Sequence, residues 1–177
     1  MSRRERKGMV HVYTGGGKGK TTAALGLALR AWGHGRRVLI IQFMKGRSDY
    51  GELLAAQRMP GFAVEHYGRP EFVNPENPAP QDLALAARAL ARSREAVASG
   101  EYDVVVLDEV NVALGWGLVA LADVLAVVGA RPPALELILT GRDAPPALVD
   151  AADVVTEMRE VKHPFRKGVA AREGVEY

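Results

Sequence analysis

Apolar residues in this chain come in short unbroken runs, separated by stretches with helical spacing. Residues 37–44 contain Val38, Leu39, Ile40 and Ile41 in succession, and residues 104–107 are Val104, Val105, Val106 and Leu107. Runs of this length without alternation predict strands buried on both faces, as in a parallel sheet. Residues 9–13, 62–67, 135–140 and 154–158 read as further strands, about six in all. Between them, residues 20–33, 49–58 and 118–130 read as helices, the last stopped by Arg131, Pro132 and Pro133. A helix that takes Pro80 and Asp82 in its first turn is predicted to bury Leu83, Ala86, Ala87, Leu90, Ala91 and Val97, with Arg88, Arg92 and Glu95 in solvent. Pro70, Pro75, Pro78 and Pro80 crowd residues 68–82 into an extended surface loop. Pro80 and Asp82 suit the first turn of the helix that follows it. Strands alternating with helices in this way predict an α/β fold, a mostly parallel sheet with helices on both faces.

The bulk numbers change this picture little. A chain of 177 residues with 48% hydrophobic residues fits one compact domain. With 23 basic and 21 acidic residues the net charge is +2, too small to indicate a nucleic-acid partner. The absence of cysteine removes disulfides, thiolate metal sites and cysteine nucleophiles together. No apolar stretch is long enough to span a bilayer: the one at residues 118–130 is interrupted by Asp123. The basic start, Ser2, Arg3, Arg4, Glu5, Arg6 and Lys7, is not followed by a signal-peptide hydrophobic region. A cytoplasmic protein without membrane contact is expected.

Candidate chemistry begins at Thr14, Gly15, Gly16, Gly17, Lys18, Gly19, Lys20 and Thr21. This approximates the G-x-x-x-x-G-K-[ST] phosphate loop, with Thr14 in place of the first glycine and the required strand before and helix after. Glycines let backbone N–H groups converge on phosphate oxygens. The helix N-terminus adds its dipole, Lys20 a full charge and Thr21 a hydroxyl for Mg²⁺. Lys18 is either a second cation on phosphate or a solvated lysine. Asp108 and Glu109 end the most apolar strand, where a carboxylate reaches the metal held by the loop hydroxyl. The spacing leaves open which of the two does so. The chain thus divides into a basic arm (residues 1–8), a P-loop nucleotide-binding domain of P-loop NTPase fold (9–158) and a C-terminal tail packing on it (159–177). Thr140, Gly141, Arg142 and Asp143 stand where a GTPase would carry N-K-x-D, which argues against guanine selection.

Five ordered blocks carry a resemblance. They are Val12 through Ala24 around the glycine loop; Gln42, Phe43, Met44, Lys45 and Gly46; Leu107 through Leu114; Thr140, Gly141 and Arg142; and Val161 through Phe165 together with Gly174, Val175, Glu176 and Tyr177. Together they resemble the P-loop cob(I)alamin (corrinoid) adenosyltransferases of cobalamin biosynthesis and salvage. The resemblance implies transfer of the 5′-deoxyadenosyl group of ATP to cobalt(I) of a corrinoid, with triphosphate leaving. It implies that Gly15, Gly16, Gly17, Lys18, Gly19, Lys20, Thr21 and Thr22 hold the triphosphate, with Arg142 a further candidate contact. Lys20 and Glu109 would be catalytic, Thr21 and Glu109 would serve Mg²⁺, and Asp108 would support them. Cobalt(I) is itself the nucleophile, so no protein base is needed.

The resemblance also implies a bulky apolar wedge that displaces the lower axial ligand of a cobalt(II) corrinoid. The family segment often reads G-F-T-W, whereas this chain has Gly68, Arg69, Pro70, Glu71 and Phe72, without the tryptophan. Phe72 is the candidate wedge, with Tyr67 and Val73 beside it and Lys45 at the neighbouring sheet edge. His163 is not expected to ligate cobalt, because the tail suggests covering or dimer contacts. Implied partners are ATP, cobalamin or a corrinoid precursor, a reductant such as a flavoprotein, and a second copy of the chain as a homodimer. The alternatives are a generic P-loop ATPase or small-molecule kinase, and a nucleotide-dependent corrinoid carrier.

Overall fold

The computed structural model describes residues 7–176, so most of the basic arm at residues 1–8 and the terminal Tyr177 lie outside the described residues. Six parallel strands form one sheet in the order β3-β2-β4-β5-β1-β6: β1 (Val10–Thr14), β2 (Val38–Phe43), β3 (Phe62–Tyr67), β4 (Val104–Asp108), β5 (Glu136–Thr140) and β6 (Val154–Glu157). Helices connect them: α1 (Lys20–Gly33), α2 (Gly51–Ala56), α3 (Pro80–Ser99), α4 (Val110–Gly115), α5 (Leu121–Gly129) and α6 (Pro146–Asp150). This is an α/β, P-loop NTPase-like architecture.

The unbroken apolar runs have the meaning their sequence suggests. In β2, Leu39, Ile41 and Phe43 enter the main core with Leu107 and Leu139, while Val38 and Ile40 pack on the other face against Ala24 and Ala28 of α1. Both faces are covered, so no position of β2 is left for water and alternation disappears. In-register pairing sets Gln42 beside Asp108 and Tyr13 beside Thr140 at the carboxyl edge of the sheet. Ligands of open parallel sheets bind at this edge.

Three readings of the sequence are corrected. The helix expected over residues 118–130 begins only at Leu121; Leu118 and Val119 are buried in a connection. Ahead of it lies α4, six residues long, which starts directly after Glu109, a residue held at φ 65°. Six mostly apolar residues carry too little periodicity to announce a helix. The inward face of α3 is also rotated from the one expected: Asp82, Ala86, Ala89, Leu90, Ser93, Ala96 and Val97 are buried, whereas Leu83, Ala87 and Ala91 are exposed. Small residues let the helix lie close to the sheet. The side chain of Ser93 satisfies itself on the Ala89 carbonyl at 2.7 Å, and Asp82 pairs with Arg69 at 2.7 Å. Burying polar residues in this way is invisible to a count of apolar positions.

Candidate active site

The glycine loop between β1 and α1 is shaped from two sides. Gly19 (φ 114°) precedes the first residue of α1 in a conformation that disfavours any side chain. Gly15 and Gly17 serve another purpose. The Gly17 N–H donates to the Met158 carbonyl at 2.6 Å, and a Cβ on either glycine would fall 2.6–2.7 Å from that same oxygen. Gly16 and Gly19 would meet nothing within 4 Å. The chain leaving β6 is therefore seated directly on the loop.

Lys20 is 7% exposed and its Nζ donates to the carbonyls of Gly15 and Gly17, both at 2.7 Å. Its charge is thereby held inside the curl of the loop. Burial lowers its pKa, with Arg142 adding to the effect, against the pull of Glu109, Asp143 and Asp108. Thr21 donates its hydroxyl to Asp108 Oδ1 at 2.8 Å.

Asp108 is fully buried at the end of β4 and is held from four directions. Thr21 and Thr140 (2.7 Å) share Oδ1, while Lys45 (2.8 Å) and Gln42 (3.3 Å) share Oδ2. Lys45 also lies 3.6 Å from Glu52, which accepts from Gln42 at 2.9 Å. Burial opposes the charge on Lys45, but Asp108 outweighs it and the pKa of the lysine rises. Thr140 has a second task, since its Oγ1 accepts the Glu109 N–H at 3.0 Å and so fixes the backbone that points Glu109 onward. The Glu109 carboxyl takes no hydrogen bond or ion pair among the described residues. Burial, then the charge of Asp108, pushes its pKa up, against Lys45, Lys20 and Arg142. It is a carboxylate short of a cation.

These groups open into a cavity of about 890 Å³ lined by residues 16–22, Lys45, Tyr50, Glu52, Glu109 and Arg142. Its far walls are apolar, from Leu25 and Leu29 of α1 to Met59 and Phe62, and the tail closes another side with Glu160, His163, Phe165 and Val175. Among the described residues no three acidic or histidine side chains gather as a metal cage. A hydroxyl (Thr21) and one uncommitted carboxylate (Glu109) at a phosphate loop nevertheless fit Mg²⁺. That ion keeps several waters and takes phosphate oxygens beside one or two protein ligands.

The structure thus brings together the glycine loop, Lys18, Lys20, Thr21, Thr22, Asp108, Glu109 and Arg142. Lys45, assigned from sequence to the corrinoid side, lies in this cluster on Asp108. The other three candidates of that side do not line the cavity. Phe72 is 100% exposed, whereas Val73 is buried in the main core. Tyr67 is half-buried; burial, then its hydrogen bond to Glu65, pushes its phenol up to about 12. Sequence reasoning gave no role to Thr140, Gln42 or Glu52. The available signal was a polar residue at the end of an apolar strand, twice over. Trp116 packs against the main core and does not line this cavity.

Comparison with known proteins follows the same lines. The family model described as ATP:corrinoid adenosyltransferase BtuR/CobO/CobP matches residues 6–177. The corrinoid adenosyltransferase of Pseudomonas aeruginosa is 39% identical over 174 residues, 98% of this chain and 86% of the relative. The corrinoid adenosyltransferase CobA of Salmonella typhimurium is 37% identical, and the corrinoid adenosyltransferase of Escherichia coli K12 is 35% identical; each alignment covers 98% of this chain and 87% of the relative.

Proposed function

The chain belongs to the ATP:corrinoid adenosyltransferase family, and from that premise we propose that it moves the 5′-deoxyadenosyl group of ATP onto the cobalt(I) of a corrinoid. The observation that carries this reading is the convergence of Lys20, Thr21, Glu109 and Arg142 on one cavity beside an open glycine loop. Cobalt(I) supplies the electron pair of the new cobalt–carbon bond. The C5′–O bond breaks, and its pair leaves with triphosphate. The protein's task is to hold C5′ in line and to stabilise the charge that departs. Backbone N–H groups of the loop and Lys20 do so for the triphosphate, with Lys18 and Arg142 as outer cations. Thr21 and Glu109 would hold Mg²⁺, whose charge offsets that of the phosphates, and Asp108 keeps Thr21 and Lys45 in place. Phe72, free of the core, is the wedge for the lower face of the corrinoid.

The reading extends to a cytoplasmic homodimer supplied with electrons by a reductant such as a flavoprotein. Among the described residues no helix is long and apolar enough to cross a membrane. The arm at residues 1–8 and the tail at 159–177 are taken as accessories to one catalytic domain.

The test is anaerobic incubation with ATP, Mg²⁺ and a strongly reduced corrinoid, followed by identification of the phosphate product. Triphosphate and a light-sensitive adenosylated corrinoid are expected, with Lys20→Ala reducing the rate by at least about a hundredfold, as for lost transition-state electrostatics. ADP with phosphate and an unalkylated corrinoid would identify a generic ATPase or kinase instead.

A further inference from the structure

The tail does not lie on the domain at random. It is rooted where Met158 receives the Gly17 N–H and donates its own N–H to the Thr14 carbonyl at 2.8 Å, so the chain entering it is fixed to the start and the middle of the phosphate loop. A few residues on, His163 is held in extended conformation ahead of a short 3₁₀ helix, Pro164–Lys167. The Phe165 N–H donates to His163 Nδ1 at 3.2 Å. Glu160, which also lines the cavity, is tied to Arg166 across this turn at 2.6 Å. The imidazole is half-buried and lines the cavity together with residues 16–22.

The bond from Phe165 settles the tautomer. A nitrogen that accepts a hydrogen bond carries no proton, so the neutral ring must carry it on Nε2. The turn thereby leaves an N–H donor that has no partner among the described residues, on a ring that lines a cavity built for an anion. The two tail carboxylates that line the cavity are engaged elsewhere, Glu160 by Arg166 and Glu176 by Arg172 at 3.1 Å. Among the described residues no hydrogen bond or ion pair joins His163 to the other two lining carboxylates, Glu52 and Glu109.

We propose that His163 is an anion-binding residue of the active site, donating its Nε2–H to the triphosphate across the cavity from Lys20. The proposal rests on the transferase reading for its catalytic meaning: the donor would strengthen as charge builds on the leaving group. It would also make the tail part of the site, because an anion bridging the loop and His163 holds the two together. No ligation of cobalt is involved.

Three substitutions in the full chain separate this role from a merely structural one. His163→Asn keeps an acceptor for the Phe165 N–H but lacks the distal donor. His163→Gln sets an amide N–H near the Nε2 position but gives a poorer turn acceptor. His163→Ala removes both. Affinity for inorganic triphosphate with Mg²⁺, measured calorimetrically, is expected to fall about tenfold in the Ala and Asn variants, as for one hydrogen bond to a charged group. The Gln variant should stay within about threefold of the unmodified chain. In the transferase assay kcat should follow the same order, with KM for the corrinoid unchanged.

Unchanged triphosphate affinity in the Ala variant would overturn the proposal. So would retention by Asn with loss in Gln, equal loss in all three, or no triphosphate binding by the unmodified chain. Because triphosphate binding is read without any corrinoid, the assignment of His163 can stand or fall separately from the transferase reaction.

Discussion

The glycines of the phosphate loop look alike in sequence and differ in what surrounds them. A Cβ at Gly16 would project into open space, whereas one at Gly17 would fall 2.7 Å from the Met158 carbonyl and 2.8 Å from the Arg159 backbone. Gly17→Ala is therefore expected to push the tail off the loop, at a cost of about 1–3 kcal/mol typical of overpacking. Gly16→Ala should fold with unchanged stability. Denaturant melts of the two variants check this, and equal stability would mean that the tail yields freely. Asp108 shows the same dependence on surroundings. As a residue type it is one of two adjacent carboxylates; in the fold it is the buried one, held by Thr21, Thr140, Gln42 and Lys45, while Glu109 faces the cavity. Sequence left the division of labour between them open because it depends on the turn of the chain between β4 and α4, where Asp108 still belongs to the strand and Glu109 is held at φ 65°.

At the scale of elements, the strands were the most legible. Their apolar runs reflect burial on both faces, and β3 and α1 fall where the pattern put them, at residues 62–67 and 20–33. Helix α3 was legible in its start, where Pro80 occupies the first turn, but not in its orientation. That orientation is tied to Asp82, which accepts from the Ala79 N–H at 3.1 Å and from Arg69 at 2.7 and 3.0 Å. The hydrogen bond from Arg69, aided by that of Ala79 and opposed by burial, holds the Asp82 carboxyl below its ordinary range. A carboxyl whose folded pKa is depressed contributes stability that is present above its unfolded value, about 3.9, and lost as pH falls through the folded one. Asp82→Asn should cost on the order of 1–3 kcal/mol at pH 7, as for a lost cap and charged hydrogen bonds. Its stability should also fall less steeply than that of the unmodified chain below about pH 4. Urea melts at pH 7 and along a series below pH 4 would show both effects; parallel curves would remove Asp82 from the acid response.

For the whole molecule, the sheet order makes β2, β4, β5 and β1 neighbours with their carboxyl ends on one side, and the tail contributes His163 and Val175 to the cavity there. Phe72 stands apart from this cavity at full exposure, so its removal should leave stability within about 0.5 kcal/mol. If it is the corrinoid wedge, Phe72→Ala should react normally with supplied cobalt(I) and slowly when the reaction starts from cobalt(II). Equal loss in both assays would end that assignment. The sequence by itself determined the strand–loop–helix unit with its lysine and threonine, the buried strands and the acidic pair, because each depends on residues adjacent in the chain. It also carried the five blocks by which the family is recognised. Only the tertiary structure decided that Gly15 and Gly17 seat the tail and that Lys45 neutralises Asp108. The buried face of α3 and the place of His163 in the wall of the same cavity as the loop belong there too. Each of these joins residues far apart in sequence, and their contact is set by sheet order and by the packing of buried polar groups, which no local periodicity records.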